Sequence, residues 1–296
     1  MTYLRPSMAA AQASAHAYLI PRSVRMFGLF IRFLGWVLPG PASKLAYRMW
    51  FKAGRRPLLP EDEPFLSRAS QEVVTVDGRK IAVMIWGAGP TVLLAHGWGS
   101  RGVRMGPLAI ALAREGYTAI AFDAPGHGAS EGQGTSAIMV AAVMRSLAEK
   151  YGPLAGAITH SFGGIAVNYA IRQGLQVPRL VCISPPADFE RLFTMYIATL
   201  GLSQPIADRM RALAETEFGP ELFDQLTMYH QPQEIKIPAL IIHDREDQVA
   251  PFEGGEKLAH DWPNAEFLPT QGLGHSRILK DPEIITAATR FILNGK

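Results

Sequence analysis

The chain has 296 residues, 48% of them hydrophobic and 19% charged, which excludes a disordered chain and leaves room for one large core with an embellishment. Its single cysteine, Cys182, excludes an intramolecular disulfide and a cysteine metal cluster. The net charge of +3 is uneven: residues 1–60 hold nine Lys or Arg and no Asp or Glu, leaving 20 basic against 26 acidic residues in the rest, which argues against nucleic-acid binding by the whole protein.

Val24 to Leu38, "VRMFGLFIRFLGWVL", is apolar nearly all round, and at helical spacing Arg25, Gly28, Arg32 and Gly35 share one narrow stripe. Pro39, Gly40 and Pro41 end this helix. A second one follows, with Lys44, Arg48 and Lys52 four apart and Gly54 closing it. A membrane span needs about 18–20 largely uncharged residues, and Arg32 interrupts the run, which also argues against a secretory signal. Two readings stay open. In one, Phe27, Phe30, Phe33 and Trp36 sit at a lipid headgroup boundary, with the basic residues toward anionic lipid; in the other, both helices pack on the main domain or on a second subunit. The expectation is a cytoplasmic protein, with peripheral membrane contact or dimerisation through residues 24–56.

The stretch "QEVVTVDGRKIAVMIWG" has two β-rich runs around Asp77 and Gly78, a hairpin signal. After it, the short apolar runs "TVLLAHG", "YTAIAFD", "LAGAITH", "RLVCISP" and "PALIIHD" alternate with stretches of helical spacing. That alternation predicts a mostly parallel sheet with helices on both faces, and chemistry gathered at the carboxyl ends of its strands. Cys182 lies in one of these runs and reads as a small core residue. From Pro186 to Glu234 the rhythm breaks into consecutive helices with no strand, which reads as a helical cap inserted above that edge. The expected division is an N-terminal helical extension over 1–65, an α/β core over 66–185 and 235–296, and the cap over 186–234.

In "AGAITHSFGGIAVNYA" a strand ends, Ser161 follows and a helix begins. A serine at a sharp strand-to-helix turn has its hydroxyl held out at the helix N-terminus, and small neighbours are needed where the backbone crosses closely. Here Thr159 stands where that G-x-S-x-G turn has its first glycine, and Gly163 supplies the second. The competing reading of Ser161 is a helix N-cap without chemistry. A serine needs a base, and the base needs an orienting group. Asp247, in the loop of "LIIHDREDQVAP", and His275, in "FLPTQGLGHSRIL", supply both residue types.

The order Ser161, Asp247, His275 is that of the α/β-hydrolase arrangement. Over roughly residues 71–293 the chain resembles the α/β-hydrolase superfamily, through "LLAHGWGS", "AFDAPGHGAS", "THSFGG", "DREDQVAP" and "GLGHSRIL". The resemblance implies an α/β-hydrolase fold, with Ser161 as nucleophile, His275 as general base and then acid, and Asp247 as the orienting carboxylate. Asp244 and Glu246 compete for the third role, but the family spacing favours Asp247 with Pro251. It also implies oxyanion donation by the backbone N–H groups of Trp98 and Phe162. His96, Gly97 and His160 flank the site and are candidates to line the substrate, although packing or hydrogen bonding is the plainer reading of the two histidines. Asp123 is expected to tie its own turn together, and neither it nor His127 is assigned chemistry. The scattered histidines support no metal site, and the glycine-rich stretches match no phosphate or dinucleotide cradle, so no cofactor is expected.

A serine nucleophile argues against the branches that resemble haloalkane dehalogenases and epoxide hydrolases, which use aspartate there. Acyl transfer to water is expected, most simply from a carboxylic ester through an acyl-enzyme. The alternatives are a thioesterase, peptidase or carbon–carbon bond hydrolase on the same triad, or a non-catalytic, membrane-associated binding protein. The cap is rich in apolar side chains such as Phe189, Leu192, Phe193, Met195, Met210 and Phe223. Divided between the cap's own core and an acyl pocket, they point to hydrophobic or medium-chain esters.

Overall fold

The computed structural model describes residues 22–294; the first 21 residues of the expected N-terminal extension lie outside the described part. The chain divides into two compact units. One holds the described residues up to Lys52 together with Asp188–Thr227, and the other holds Ala53–Ala187 with the chain from Met228 onward.

The larger unit is built on an eight-stranded sheet. Its strands are β1 (Ser70–Val76), β2 (Arg79–Trp86), β3 (Thr91–Ala95), β4 (Thr118–Phe122), β5 (Leu154–His160), β6 (Leu180–Ile183), β7 (Ala239–Asp244) and β8 (Ala265–Thr270), in the order β1-β2-β4-β3-β5-β6-β7-β8. The pairs β1/β2 and β2/β4 are antiparallel and the remaining pairs are parallel. The hairpin forms where the turn residues predict it. Val76 faces Arg79 across Asp77 and Gly78, whose φ angles of 47° and 73° put both in the left-handed region that a two-residue turn requires.

The parallel strands read as unbroken apolar runs because both faces are covered. Val92, Leu94, Ile158, Val181 and Ile242 share one cluster with Leu108 and Leu112 and with Ile284, Phe291 and Ile292, the last two sets carried by helices Gly106–Arg114 and Pro282–Leu293. Their strand neighbours Leu93, Ala157, Cys182 and Ile241, which point to the other face by the period of two, are also buried. Each fully buried Leu or Ile contributes about 1.5–3 kcal/mol relative to exposure. Cys182 is buried, and burial pushes its thiol up to about 12, so it is an inert core residue. The helix Pro282–Leu293 starts cleanly, because the Asp281 carboxylate accepts from the backbone N–H groups of Glu283 and Ile284 and Pro282 occupies a first-turn position where no N–H is needed.

The smaller unit is all helical: α1 (Arg22–Val37), α2 (Pro39–Trp50), α3 (Phe189–Leu200) and α4 (Gln204–Phe218), with a short helical turn at Leu222–Leu226. The N-terminal helices therefore pack on the helices inserted between β6 and β7, a partner not among those weighed from the sequence. Glycines allow the approach: a Cβ on Gly28 would lie 2.5 Å from the Leu200 carbonyl oxygen, and one on Gly35 would lie 2.4 Å from Ile206 Cδ1. Trp50 meets the rings of Phe193 at 5.4 Å and Tyr196 at 4.8 Å, and the Tyr196 hydroxyl donates to the Ala46 carbonyl at 2.9 Å.

This packing corrects two expectations. The stripe of Arg25, Gly28, Arg32 and Gly35 is not one polar face: Gly28 is buried with Ile31, whereas both arginines are exposed. Phe27 is half-buried, unlike the exposed Phe30, Phe33 and Trp36. Of the apolar side chains on the inserted helices, Phe189, Phe193, Ile197, Leu200, Met210 and Phe223 are buried, whereas Leu192 and Met195 are half-buried.

Candidate active site

β5 ends at His160, and the helix Phe162–Arg172 begins with a single residue between them. Ser161 makes the whole turn, at φ 51° and ψ −124°. A positive φ strains a residue with a Cβ and persists only where its surroundings over-determine it. They do so here: the Ser161 N–H donates to the Ile183 carbonyl at 2.9 Å, and its own carbonyl accepts from Gly164 N–H at 2.8 Å. The turn brings backbone close to backbone, so a Cβ on Gly163 would lie 2.8 Å from the Ala95 carbonyl oxygen. Thr159 fits where glycine was expected because its hydroxyl is buried and donates to the Val181 carbonyl at 3.3 Å. Although Ser161 occupies the N-cap position, its side chain makes no capping hydrogen bond, so the plain helix-cap reading lacks the bond that defines it.

Of Asp244 at the end of β7 and Glu246 and Asp247 in the loop after it, Asp247 is the one at His275, with Oδ2 2.8 Å from Nδ1. An ionised carboxylate only accepts, so Nδ1 carries the proton in this contact. The other oxygen of Asp247 accepts from the N–H groups of Val249 and Ala250 at 2.8 and 2.9 Å. Burial raises the Asp247 pKa, but hydrogen bonds from His243, His275 and Ala250 outweigh burial and hold the carboxyl well below its usual range. Asp244 instead ties the loops together, accepting from Thr270 Oγ1 at 2.7 Å and from Leu273 and Glu246 N–H at 3.0 Å each. Burial opposes its ionisation too, and these bonds again win, lowering its pKa. The Glu246 side chain is exposed and accepts from Gln271 Nε2 at 3.5 Å.

His160 connects the two halves of the site. Its Nε2 donates to the His275 carbonyl at 2.8 Å, and the two rings lie 4.8 Å apart. Burial, reinforced by the neighbouring His275, pushes its pKa down to about 3, so the ring is neutral. The glycine between His96 and Trp98 is required by proximity: a Cβ on Gly97 would lie 2.8 Å from Ser161 Cβ and 3.1 Å from His160 Nδ1. Gly97 thus borders the Ser161 turn.

His96 does not line the site through its ring nitrogens. Its Nε2 accepts from Ala124 N–H at 2.9 Å and its Nδ1 donates to the Gly97 carbonyl at 2.7 Å, leaving neither for a substrate. Burial, with His127 beside it, lowers its pKa to about 4. His127 and Asp123, given no chemistry from the sequence, brace the same loop. His127 Nε2 accepts from Gly99 N–H at 2.9 Å, and the Asp123 carboxylate accepts from Gly102 and Ala129 N–H at 2.8 and 2.7 Å. The "HGWG" loop is therefore held by buried, neutral imidazoles and one buried carboxylate. His243 was missed altogether. It is fully buried, donates from Nε2 to the Ala250 carbonyl at 3.0 Å, and lies 3.5 Å from Asp247 Oδ2. A histidine closing the apolar run "LIIH" was the available signal, because a buried polar ring needs a partner.

A sheet of this order, a strained serine at the strand-to-helix turn and a histidine–aspartate pair on later loops define the α/β-hydrolase class. The sequence profile of the alpha/beta hydrolase family matches residues 92–288, about two thirds of the chain, and the chain belongs to that family. It is 24% identical over 247 residues to an AB hydrolase superfamily protein, YisY, of Bacillus subtilis (strain 168), covering 68% of this chain and 90% of that protein. Among solved structures it is similar to an esterase of Pyrococcus furiosus (TM-score 0.59, 20% identity, 82% of this chain and 98% of that one). It is also similar to a bacterial membrane phospholipase A (TM-score 0.58, 23% identity, 78% and 87%).

Proposed function

We propose that this α/β hydrolase cleaves a carboxylic ester with a hydrophobic or medium-chain acyl group, using Ser161, His275 and Asp247 as its triad. The observation that carries the reading is the backbone of Ser161, held at φ 51° in front of a helix with its side chain uncommitted to capping. Strain of this kind costs of order 1–3 kcal/mol, and a turn that needed only a cap would use a relaxed residue.

In the proposed reaction Ser161 Oγ attacks the ester carbonyl carbon and its proton passes to His275 Nε2. Asp247 holds the ring in the tautomer that leaves Nε2 free, and stabilises the imidazolium that forms. The oxyanion accepts from the N–H groups of Phe162 and Trp98. The Phe162 N–H belongs to the first turn of its helix, where no intrahelical carbonyl is in reach, and the helix dipole favours negative charge there. Collapse expels the alkoxide, which takes the proton from His275. Water then attacks the acyl-enzyme carbonyl as His275 accepts its proton, and collapse releases the acid while His275 returns that proton to Ser161 Oγ. Support for an apolar acyl group comes from Trp98, 39% exposed and edge-on to Phe162 at 5.1 Å, and from the exposed Val249, two residues beyond Asp247.

The test is hydrolysis of p-nitrophenyl esters of increasing acyl length by the wild type and Ser161→Ala, with fluorophosphonate labelling of both. The expected result is turnover and labelling in the wild type, and loss of the label with a fall in kcat of roughly 10⁴-fold or more in the variant. Activity that survives in a folded Ser161→Ala protein would overturn the assignment.

A further inference from the structure

Helix α1 has two apolar faces, and only one of them is used. Val24, Phe27, Gly28, Ile31, Leu34 and Gly35, at spacings of three and four, are buried or half-buried, with Gly28 against the Leu200 carbonyl and Gly35 against Ile206. On the opposite side Met26, Leu29, Phe30, Phe33, Trp36 and Val37 are 52–86% exposed, Trp36 the most so. Monomeric soluble domains rarely leave so many large apolar side chains contiguous in water, and such a face marks an interaction surface.

Charge decides what covers it. Arg22, Arg25 and Arg32 are exposed on the same helix, and Lys44, Arg48 and Lys52 are exposed on or just after α2. Residues 1–60 contain no acidic side chain. Pairing this face with its own copy across a two-fold axis would bring two sets of arginines together with nothing in the segment to neutralise them. A surface that is apolar beneath and negative above accepts both features, with the aromatic rings at the headgroup level and the guanidinium groups among the phosphates. Among the described residues no helix is long and apolar enough to cross a membrane.

We infer that the outward face of α1 docks on an anionic lipid surface, with the helix lying in the plane of the interface. The inner face, already packed, fixes which side chains reach the lipid: Phe33 and Trp36 insert, whereas Phe27 does not. The inference is independent of catalysis, so it is tested in a Ser161→Ala background, where no lipid can be turned over through that residue.

The experiment is co-sedimentation of the full chain with vesicles of phosphatidylcholine containing phosphatidylglycerol, and with phosphatidylcholine alone. Binding is expected to the anionic vesicles, weaker by at least tenfold on neutral ones and at high salt. Phe33→Ser with Trp36→Ser is expected to lower the partition coefficient at least tenfold with an unchanged melting temperature, whereas Val73→Ser, an exposed apolar residue on β1, leaves it unchanged. The inference is overturned if the parent protein stays in solution with anionic vesicles, or if the double variant sediments like the parent. It is equally overturned if sedimentation velocity without lipid shows a dimer that Trp36→Ser dissociates, since the face would then belong to a second copy.

Discussion

The strand-end loops of the α/β unit and helix α1 break opposite halves of the same rule. In the loops, His96, Asp123, His127, His160, His243, Asp244 and Asp247 are polar and buried; on α1, six large apolar side chains are in water. Burying a polar group costs free energy unless it is hydrogen-bonded, and each of these side chains makes at least one bond, although Nδ1 of His160 and of His243 has no partner. Exposed apolar area has no such internal compensation, and α1 needs a partner of another kind. The buried polar cluster holds the loops of the candidate site in place, whereas the exposed apolar face is a contact waiting for its counterpart.

The largest effect after Ser161→Ala is expected from Asp247→Asn. Its amide can donate toward His275 Nδ1 and so favour the wrong tautomer, and kcat should fall roughly 10³–10⁴-fold with KM little changed; steady-state kinetics on a p-nitrophenyl ester measures both. A fall of less than tenfold would show that the buried pair is structural.

Acid should expose the buried histidines next. His96 and His160 have pKa values pushed down to about 4 and about 3, against about 6.5 in an unfolded chain. Below pH 6.5 the unfolded chain binds protons that the fold refuses. Stability is therefore full above that pH and declines by about 1.4 kcal/mol per pH unit for each histidine down toward its folded value. Urea midpoints at pH 7, 6 and 5 should show this slope, and His160→Gln should remove about half of it. The lowered Asp244 and Asp247 pKa values act later: their contribution is intact above about pH 4 and is lost as pH falls through their folded values.

A smaller effect separates the two faces of α1. Gly28→Ala drives a Cβ into the Leu200 backbone carbonyl, which cannot rotate away, and should destabilise by about 1–3 kcal/mol despite alanine's better helix propensity. At Gly35 the obstruction is the end of the Ile206 side chain, which can change rotamer, so Gly35→Ala should cost less than about 1 kcal/mol. Thermal melts of the two variants compare them directly. If Gly28→Ala is neutral, the inner face is not packed as described.

Much of the frame around the candidate site was legible because it is local. The hairpin at Asp77 and Gly78, the alternation of apolar runs and helices, and the serine between a strand and a helix are patterns of adjacent residues. Asp247 and His275 were legible by order along the chain. The braces were not: His127, His160 and His243 act on groups brought near by the sheet, and nothing beside them in the sequence marks their partners. His96, for which hydrogen bonding was the plainer reading, is bonded to the Ala124 and Gly97 backbone.

The sequence by itself determined the α/β pattern, the residue types of the site and the excess of basic and apolar residues near the N-terminus, since each follows from periodicity or composition. Only the tertiary structure decided which carboxylate meets His275, and which side of α1 is already occupied. Both depend on distances between residues far apart in the chain, and at one such contact a glycine hydrogen stands where any Cβ would strike the Leu200 carbonyl.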